Sequence, residues 1–169
     1  LVDLDALAGL GCRAGLGRWR ELLCGADPLR TASAWLLSGD PEVSLMLDEL
    51  TRAAAAAPDR FAVVAMLAEE YPGDPGIAVA LMLNRVELRK GEALWLPAGN
   101  MHAYLRGNGV ELMGPSDNVL RCGLTGKHVD RDELQRVAEF VPITPPRLAP
   151  EPVGETALTY RPASTESGR

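Results

Sequence analysis

The apolar residues in the first part of the chain recur at helical spacing. Residues 2–71 are rich in Ala and Leu, and their apolar positions repeat at intervals of three and four, which is typical of amphipathic helices. Glycine, proline and aspartate interrupt the pattern at several points and supply the signals that end one helix and begin the next. The sequence therefore predicts four or five short to medium helices over this region.

The helix with the most regular pattern is predicted over residues 42–57. Its apolar side chains form a single stripe of Val43, Met46, Leu47, Leu50 and Ala54. The charged residues Asp48, Glu49 and Arg52 fall outside that stripe. This arrangement predicts a helix that packs one side into a hydrophobic core.

The pattern changes at Tyr-Pro-Gly-Asp-Pro-Gly over residues 71–76, where proline and glycine end helices and favour turns. Beyond it, short apolar runs separated by Gly, Pro and Asn predict closely spaced strands. There are six such runs, at 77–83, 86–88, 93–96, 103–105, 110–113 and 118–121. Strands of this kind indicate a small sandwich or barrel. We therefore expect an α+β protein, with a helical subdomain over residues 1–72 and a β-barrel segment over residues 73–141.

The last part of the chain is predicted to contain one helix and little other regular structure. Helical spacing returns over residues 130–140, with Asp130 as the candidate N-cap. Residues 142–169 include six prolines and are expected to be extended or partly disordered, with one strand near residues 157–160.

Charge and composition exclude several classes of partner. The net charge of −6 and the isoelectric point near 5.0 argue against nucleic-acid or anionic-membrane binding, which needs clustered Lys and Arg. No apolar run approaches the roughly 20 residues that cross a bilayer, and Asp3 and Asp5 stand where a signal peptide carries basic residues. A cytoplasmic protein is predicted. Cys12, Cys24 and Cys122 lack metal-type spacing and are interpreted as ordinary small side chains.

Candidate chemistry is concentrated after a Pro-Ala-Gly-Asn turn at residues 97–100. This turn delivers His102 to the open end of the predicted barrel, as the first residue of a strand, with Tyr104 on the same face two residues later. Other polar side chains follow within about two strands: Glu111, Asp117, Arg121 and Lys127. An imidazole suits zinc, and carboxylates beside cations suit a phosphorylated polyol that undergoes proton transfer. One histidine does not complete a zinc site, because zinc takes four ligands, or three and a water.

The segment from residue 102 to 127, HAYLRGNGVELMGPSDNVLRCGLTGK, closely resembles the signature of type I mannose-6-phosphate isomerases. The resemblance extends over residues 71–140. It implies a cupin (jelly-roll) barrel that holds one zinc ion, with an inserted helical domain. It further implies the interconversion of mannose 6-phosphate and fructose 6-phosphate through an enediol.

The resemblance also assigns roles by motif position. It implies that His102 is a zinc ligand and that Arg121 is the catalytic arginine. It places Glu111 and Asp117 near the reacting carbons as candidate bases. Tyr104 and Lys127 are implied to contact the substrate, a sugar phosphate. The chain departs from the family pattern at three positions, namely Gly114, Cys122 and Gly126.

The family's other zinc ligands, a Gln-x-His pair and a Glu, have no counterpart in residues 1–76, so the resemblance implies a partial isomerase chain. Two other hypotheses stay open. One is a non-catalytic cupin remnant that serves as a binding or assembly module without metal. The other is a small cupin metalloprotein in which His128 or Cys122 joins His102.

Overall fold

The computed structural model describes residues 15–115 and 119–162. These residues form six helices, which we number α1 Gly15–Leu23, α2 Pro28–Leu36, α3 Pro41–Ala56, α4 Ala62–Glu70, α5 Gly76–Met82 and α6 Arg131–Val137. They also form four short strands, β1 Ala93–Leu94, β2 Arg147–Leu148, β3 Glu151–Val153 and β4 Ala157–Thr159. No helix in the described ranges is both long and apolar enough to span a bilayer.

Helix α3 is the predicted amphipathic helix, and its stripe is confirmed. The helix begins with Pro41, and the Asp40 carboxylate accepts a hydrogen bond from the backbone N–H of Glu42 at 2.9 Å. This cap satisfies a donor that has no partner within the helix. All five residues of the predicted stripe are buried. Four helices lie within residues 15–70, as the periodicity predicts.

The main hydrophobic core lies between the first five helices. Trp19, Met46, Leu50, Val64 and Ile77 are each completely buried and come from four helices, and Ala32 and Leu36 add the fifth helix, α2. Burying an aliphatic or aromatic side chain of this size stabilises a fold by roughly 1.5–3 kcal/mol. The core therefore fixes the positions of α1 to α5 relative to one another.

A second, smaller cluster joins α6 to the helical core. It contains Leu37, Leu134, Ala138 and Phe140. The guanidinium of Arg30, in α2, lies 4.5 Å from the centroid of the Phe140 ring and donates to the carbonyl of Gln135. The predicted cap of α6 is confirmed, since Asp130 Oδ1 accepts from the backbone N–H of Glu133 at 3.0 Å.

The prediction of a strand over residues 77–83 is wrong, because helix α5 occupies Gly76–Met82. Gly76, Ile77, Ala78 and Val79 are buried, and a short continuous apolar run has no polar positions from which a period can be read. The Asp74 carboxylate accepts from the backbone N–H of Gly76 at 2.7 Å. This contact organises the first turn of a helix rather than a strand.

Most of the other predicted strands are also absent from the described residues. Of the run at 93–96, Ala93–Leu94 forms β1 and pairs antiparallel with β2. Residues 86–88, 103–105, 110–113 and 119–121 form no strand, and residue 118 lies outside the described ranges. His102 therefore does not begin a strand. No closed barrel is present within residues 15–115 and 119–162.

The missing strands have a physical cause in the exposure of their side chains. Val110 is 94% exposed and Leu112 is 92% exposed. An apolar run becomes a strand when a neighbouring strand satisfies its backbone and a core covers one face. Nothing described in the structure covers these residues, so their alternating pattern alone does not produce a ladder.

The predicted strand near residues 157–160 is confirmed as β4. It pairs antiparallel with β3, with Val153 opposite Ala157 and Glu151 opposite Thr159. Together with β2, these strands give residues 142–162 more regular structure than the proline content predicts. The described chain is thus a mixed α and β structure in which helices dominate.

We predict that Leu50→Ala lowers the free energy of unfolding by roughly 2–5 kcal/mol, because it leaves a cavity at a completely buried position. Chemical denaturation followed by circular dichroism measures this change. Leu45→Ala, on the same helix but 59% exposed, is the matched control and is expected to change stability by about 0.5 kcal/mol or less. Equal losses for the two variants would contradict the assignment of the α3 core face.

Candidate functional site

The turn before His102 is held against the end of helix α6. Gly99 adopts φ +80°, a backbone conformation that favours glycine. A Cβ at Gly99 would lie 3.0 Å from Glu139 Cγ and 3.1 Å from the carbonyl of Val137. The backbone N–H of Glu139 donates to the Gly99 carbonyl at 3.0 Å. The predicted turn is therefore present, and it starts the next segment from a fixed point.

His102 is exposed, and its ring makes two contacts with neighbouring residues. Nδ1 lies 3.0 Å from the carbonyl oxygen of Asn100. A carbonyl oxygen only accepts hydrogen bonds, so this contact favours the tautomer that carries its proton on Nδ1. That tautomer leaves the Nε2 lone pair available for a ligand. The ring also meets Tyr104 edge-on, with 6.2 Å between centroids, as the predicted alternation of side chains implies.

Tyr104 links His102 to Glu111. The pKa of its phenol is raised, first by partial desolvation and then by the nearby Glu111 carboxylate, through its charge and through hydrogen bonding. In such a pair the phenol O–H is the donor, because a carboxylate only accepts. His102, Tyr104 and Glu111 thus form one exposed cluster.

Arg121 lies in a different part of the chain and is more buried than His102, Tyr104 and Glu111. It is partly buried, and no side chain in residues 15–115 or 119–162 forms an ion pair with its guanidinium. The next residue, Cys122, packs against both hydrophobic clusters. Burial raises the pKa of the Cys122 thiol to about 11, with a smaller contribution from the Asp74 carboxylate. This cysteine is therefore protonated at neutral pH and is a poor metal ligand.

The remaining predicted site residues are exposed or lie outside the described ranges. Lys127 and His128 are exposed, and the backbone N–H of Lys127 donates to Thr125 Oγ1 at 3.1 Å. Asp117 falls within residues 116–118, which the structure does not describe. No hydrogen bond among the described residues joins His102, Tyr104 or Glu111 to Arg121 or Lys127.

The described residues do not fit a zinc ion. Within residues 15–115 and 119–162, no three His, Cys, Asp or Glu side chains converge closely enough to hold a metal. The donors near His102 are the hydroxyl of Tyr104 and the carboxylate of Glu111, while Cys122 is a buried thiol. Neither His128 nor Cys122 therefore supports the hypothesis of a small independent metal site.

Asp74 lies close to the loop that carries Arg121, although the sequence pattern does not single it out. It stands in the Pro-Gly-Asp-Pro-Gly run, whose prolines and glycines predict only the end of a helix. Its carboxylate contacts the start of α5 and lies close enough to Cys122 to influence that thiol. The sequence signal was an Asp directly before a Pro-Gly pair, which is typical of a helix start.

Comparisons with known proteins give a consistent relationship. No protein-family model matches the chain. It is 44% identical over 100 residues to a probable mannose-6-phosphate isomerase of Dictyostelium discoideum, which covers 59% of this chain and 22% of the relative. It is 43% identical over 94 residues to the mannose-6-phosphate isomerase of Escherichia coli, covering 56% of this chain and 24% of the relative. The chain thus spans about a quarter of the length of these relatives.

The fold is also similar to that of a solved structure. A crystal structure of a mutant phosphomannose isomerase from Salmonella typhimurium superposes with a TM-score of 0.68 at 30% sequence identity, over 90% of this chain and 41% of that chain. The likeness in sequence and the likeness in fold point to the same group of proteins. The chain is therefore a partial-length relative of the mannose-6-phosphate isomerases.

Proposed function

We propose that this chain is part of a mannose-6-phosphate isomerase, which interconverts mannose 6-phosphate and fructose 6-phosphate. The observation that carries the proposal is the 44% identity over 100 residues to a protein of that name, supported by the similar fold. The chain spans only 22–24% of the length of these curated relatives. The activity of the whole protein is therefore part of this proposal.

In this proposal Arg121 stabilises negative charge on the substrate oxygens. Isomerisation removes a proton from C2 of the open-chain aldose, which puts negative charge on O1 of an enediolate. O1 gains a proton and O2 loses one, so the charge moves to O2, and protonation at C1 then gives the ketose. A guanidinium that is partly buried suits that task, because no carboxylate within residues 15–115 or 119–162 forms an ion pair with it. A phosphate or sugar oxygen would then be its natural partner.

The proton transfer itself is assigned to a carboxylate. Glu111 and Asp117 are the two candidates, and the described geometry concerns only Glu111. Its carboxylate lies near the Tyr104 hydroxyl and raises the pKa of that group. A hydrogen bond from the hydroxyl would orient the carboxylate and leave lone pairs available to take a proton from carbon. Lys127, which is exposed, is proposed to contact the phosphate or a hydroxyl of the substrate.

Zinc enters the proposal only with donors that the described residues do not supply. His102 offers one imidazole nitrogen, and a zinc site needs at least two further protein ligands. The described residues are therefore assigned three tasks: binding the substrate, orienting it and moving protons. The proposed cytoplasmic location and the sugar-phosphate substrates follow from the relationship in the same way.

A second function is favoured by a different observation. Val110 and Leu112 are almost completely exposed apolar side chains, and exposed apolar surface marks interaction sites. A non-catalytic cupin remnant that serves as a binding or assembly module accounts for this exposure. That function requires neither metal nor turnover, and it predicts association through residues 103–113.

We predict that Arg121→Gln weakens mannose 6-phosphate binding by at least about tenfold, because a hydrogen bond to a charged group contributes roughly 1.5–3 kcal/mol. Isothermal titration calorimetry measures the dissociation constant, and a coupled assay for fructose 6-phosphate follows any turnover. Arg52→Gln is the matched control, since Arg52 is exposed on α3 and its guanidinium donates to the carbonyl of Asp48 in the same helix. Equal binding by the two variants would remove Arg121 from the proposed site.

We predict that the purified 169-residue chain retains no stoichiometric zinc after dialysis, because no set of metal donors converges in the described residues. Elemental analysis measures the metal content, with a His102→Ala variant as the comparison. One zinc per chain in the parent and none in the variant would contradict this conclusion. Absence of both metal and turnover, together with self-association, would favour the binding-module function.

A further inference from the structure

We propose that the backbone contact between Gly76 and Gly123, closed by the Asp74 side chain, positions Arg121 on the helical core. The functional half of this inference rests on the proposed role of Arg121 in binding a sugar phosphate. The contact itself is a feature of the described chain. It joins the start of helix α5 to the loop that carries Arg121.

The two glycines approach each other more closely than any other residue type allows. A Cβ at Gly123 would lie 2.7 Å from Asp74 Oδ1 and 2.8 Å from Gly76 Cα. A Cβ at Gly76 would lie 2.8 Å from the backbone nitrogen of Leu124. All three distances are shorter than van der Waals contact, so a side chain at either position would clash. Glycine at both positions allows the two backbone segments to approach closely.

Asp74 closes the contact from the helix side. Its Oδ1 accepts from the backbone N–H of Gly76 at 2.7 Å, and the same oxygen lies against the Gly123 backbone. Helix α5 is anchored directly after this point, because Ile77 and Ala78 are completely buried in the main core. The loop is therefore pressed against an element that does not move independently.

The residues on either side of Gly123 are held as well. Cys122 packs against both hydrophobic clusters. Leu124 adopts φ +52°, which a leucine takes only where its surroundings hold it, and it packs against the main core. Arg121 directly precedes this three-residue anchor. Its backbone position is thus set by the helical core.

This arrangement matters for binding because a fixed cation loses less freedom when an anion arrives. His102, Tyr104 and Glu111 are exposed, and His102 follows a separate contact, the turn at Gly99 held against α6. We therefore assign Asp74, Gly76 and Gly123 as positioning residues that act through Arg121. They are not catalytic residues, since the proposed chemistry does not require them to touch the substrate.

The first test uses Cys122 as a reporter of loop opening, in a Cys12→Ser and Cys24→Ser background. Gly123→Ala inserts a methyl group into the contact and is expected to raise the rate of Cys122 alkylation by iodoacetamide roughly tenfold or more. Gly126→Ala is the matched control, because a Cβ at Gly126 meets nothing within 4 Å. Equal alkylation rates for the two variants would overturn the proposal that the Gly76–Gly123 contact holds the loop.

A second pair of variants decides the question if Gly123→Ala does not fold, as judged by circular dichroism. Asp74→Ala removes the acceptor for the Gly76 N–H, whereas Asp74→Asn keeps an acceptor oxygen there. Both remove the charge, so their difference isolates the hydrogen bond. Faster alkylation in Asp74→Ala than in Asp74→Asn is expected, and identical rates would overturn the role of Asp74.

The positioning role is tested by mannose 6-phosphate binding at unchanged thermal midpoint. Gly123→Ala is expected to weaken binding at least several-fold, in the same direction as Arg121→Gln, while Gly126→Ala binds like the parent. Equal binding by the parent and Gly123→Ala would overturn the positioning role and leave the proposed function standing. If the parent itself does not bind, the proposed function fails for this chain. The alkylation rates still decide whether the Gly76–Gly123 contact holds the loop.

Discussion

The structure depends on the burial of one face of helix α3. Met46 and Leu50 lie at the centre of the main core, and the other helices pack around them. The first residue of α1 shows how tightly they do so, since a Cβ at Gly15 would lie 2.4 Å from Met46 Cβ. Because protein cores are packed as densely as organic crystals, a shift of α3 would displace α1 and α4, which pack directly against it. The loop that follows residue 121 is attached to this same core through Cys122 and Leu124.

This attachment divides the candidate site residues into two physical groups. Arg121 stands on a loop that is closed against α5, so its position is determined by the helical core. His102, Tyr104 and Glu111 hold each other through side-chain contacts but remain exposed to solvent. Chemistry on a sugar phosphate needs reacting groups held to within about half an ångström. The packing of Cys122 and Leu124 supports that requirement at Arg121. At His102 it is supported by the turn at Gly99 and by the contact with Tyr104.

Much of the helical part could be predicted from the sequence, and most of the sheet could not. The stripe on α3 and the Asp130 cap are local signals, so the residues concerned contain all the information needed. Residues 77–83 misled because a continuous apolar run carries no period. Residues 110–113 misled because alternation shows that a strand can form but does not show that a neighbouring strand is present. The site is a mixed case. His102 and Tyr104 are neighbours, but without the strand from which that placement was predicted. The roles of Arg121, Glu111, Asp117 and Lys127 rest on resemblance and stay predictions.

The same distinction between local and distant information explains why the family relationship is clear while the metal chemistry is incomplete. A match of about 100 residues is enough to identify relatives, because many local choices agree at once. A zinc site is different, because it requires three or four donors from separate parts of a fold to meet at one point. Among the described side chains, His102 contacts Tyr104, which lies near Glu111, and burial raises the pKa of the Cys122 thiol. The chemistry that we propose for these residues by themselves is therefore recognition of an anion by Arg121 and proton transfer by a carboxylate. Metal activation would have to be supplied by donors outside them.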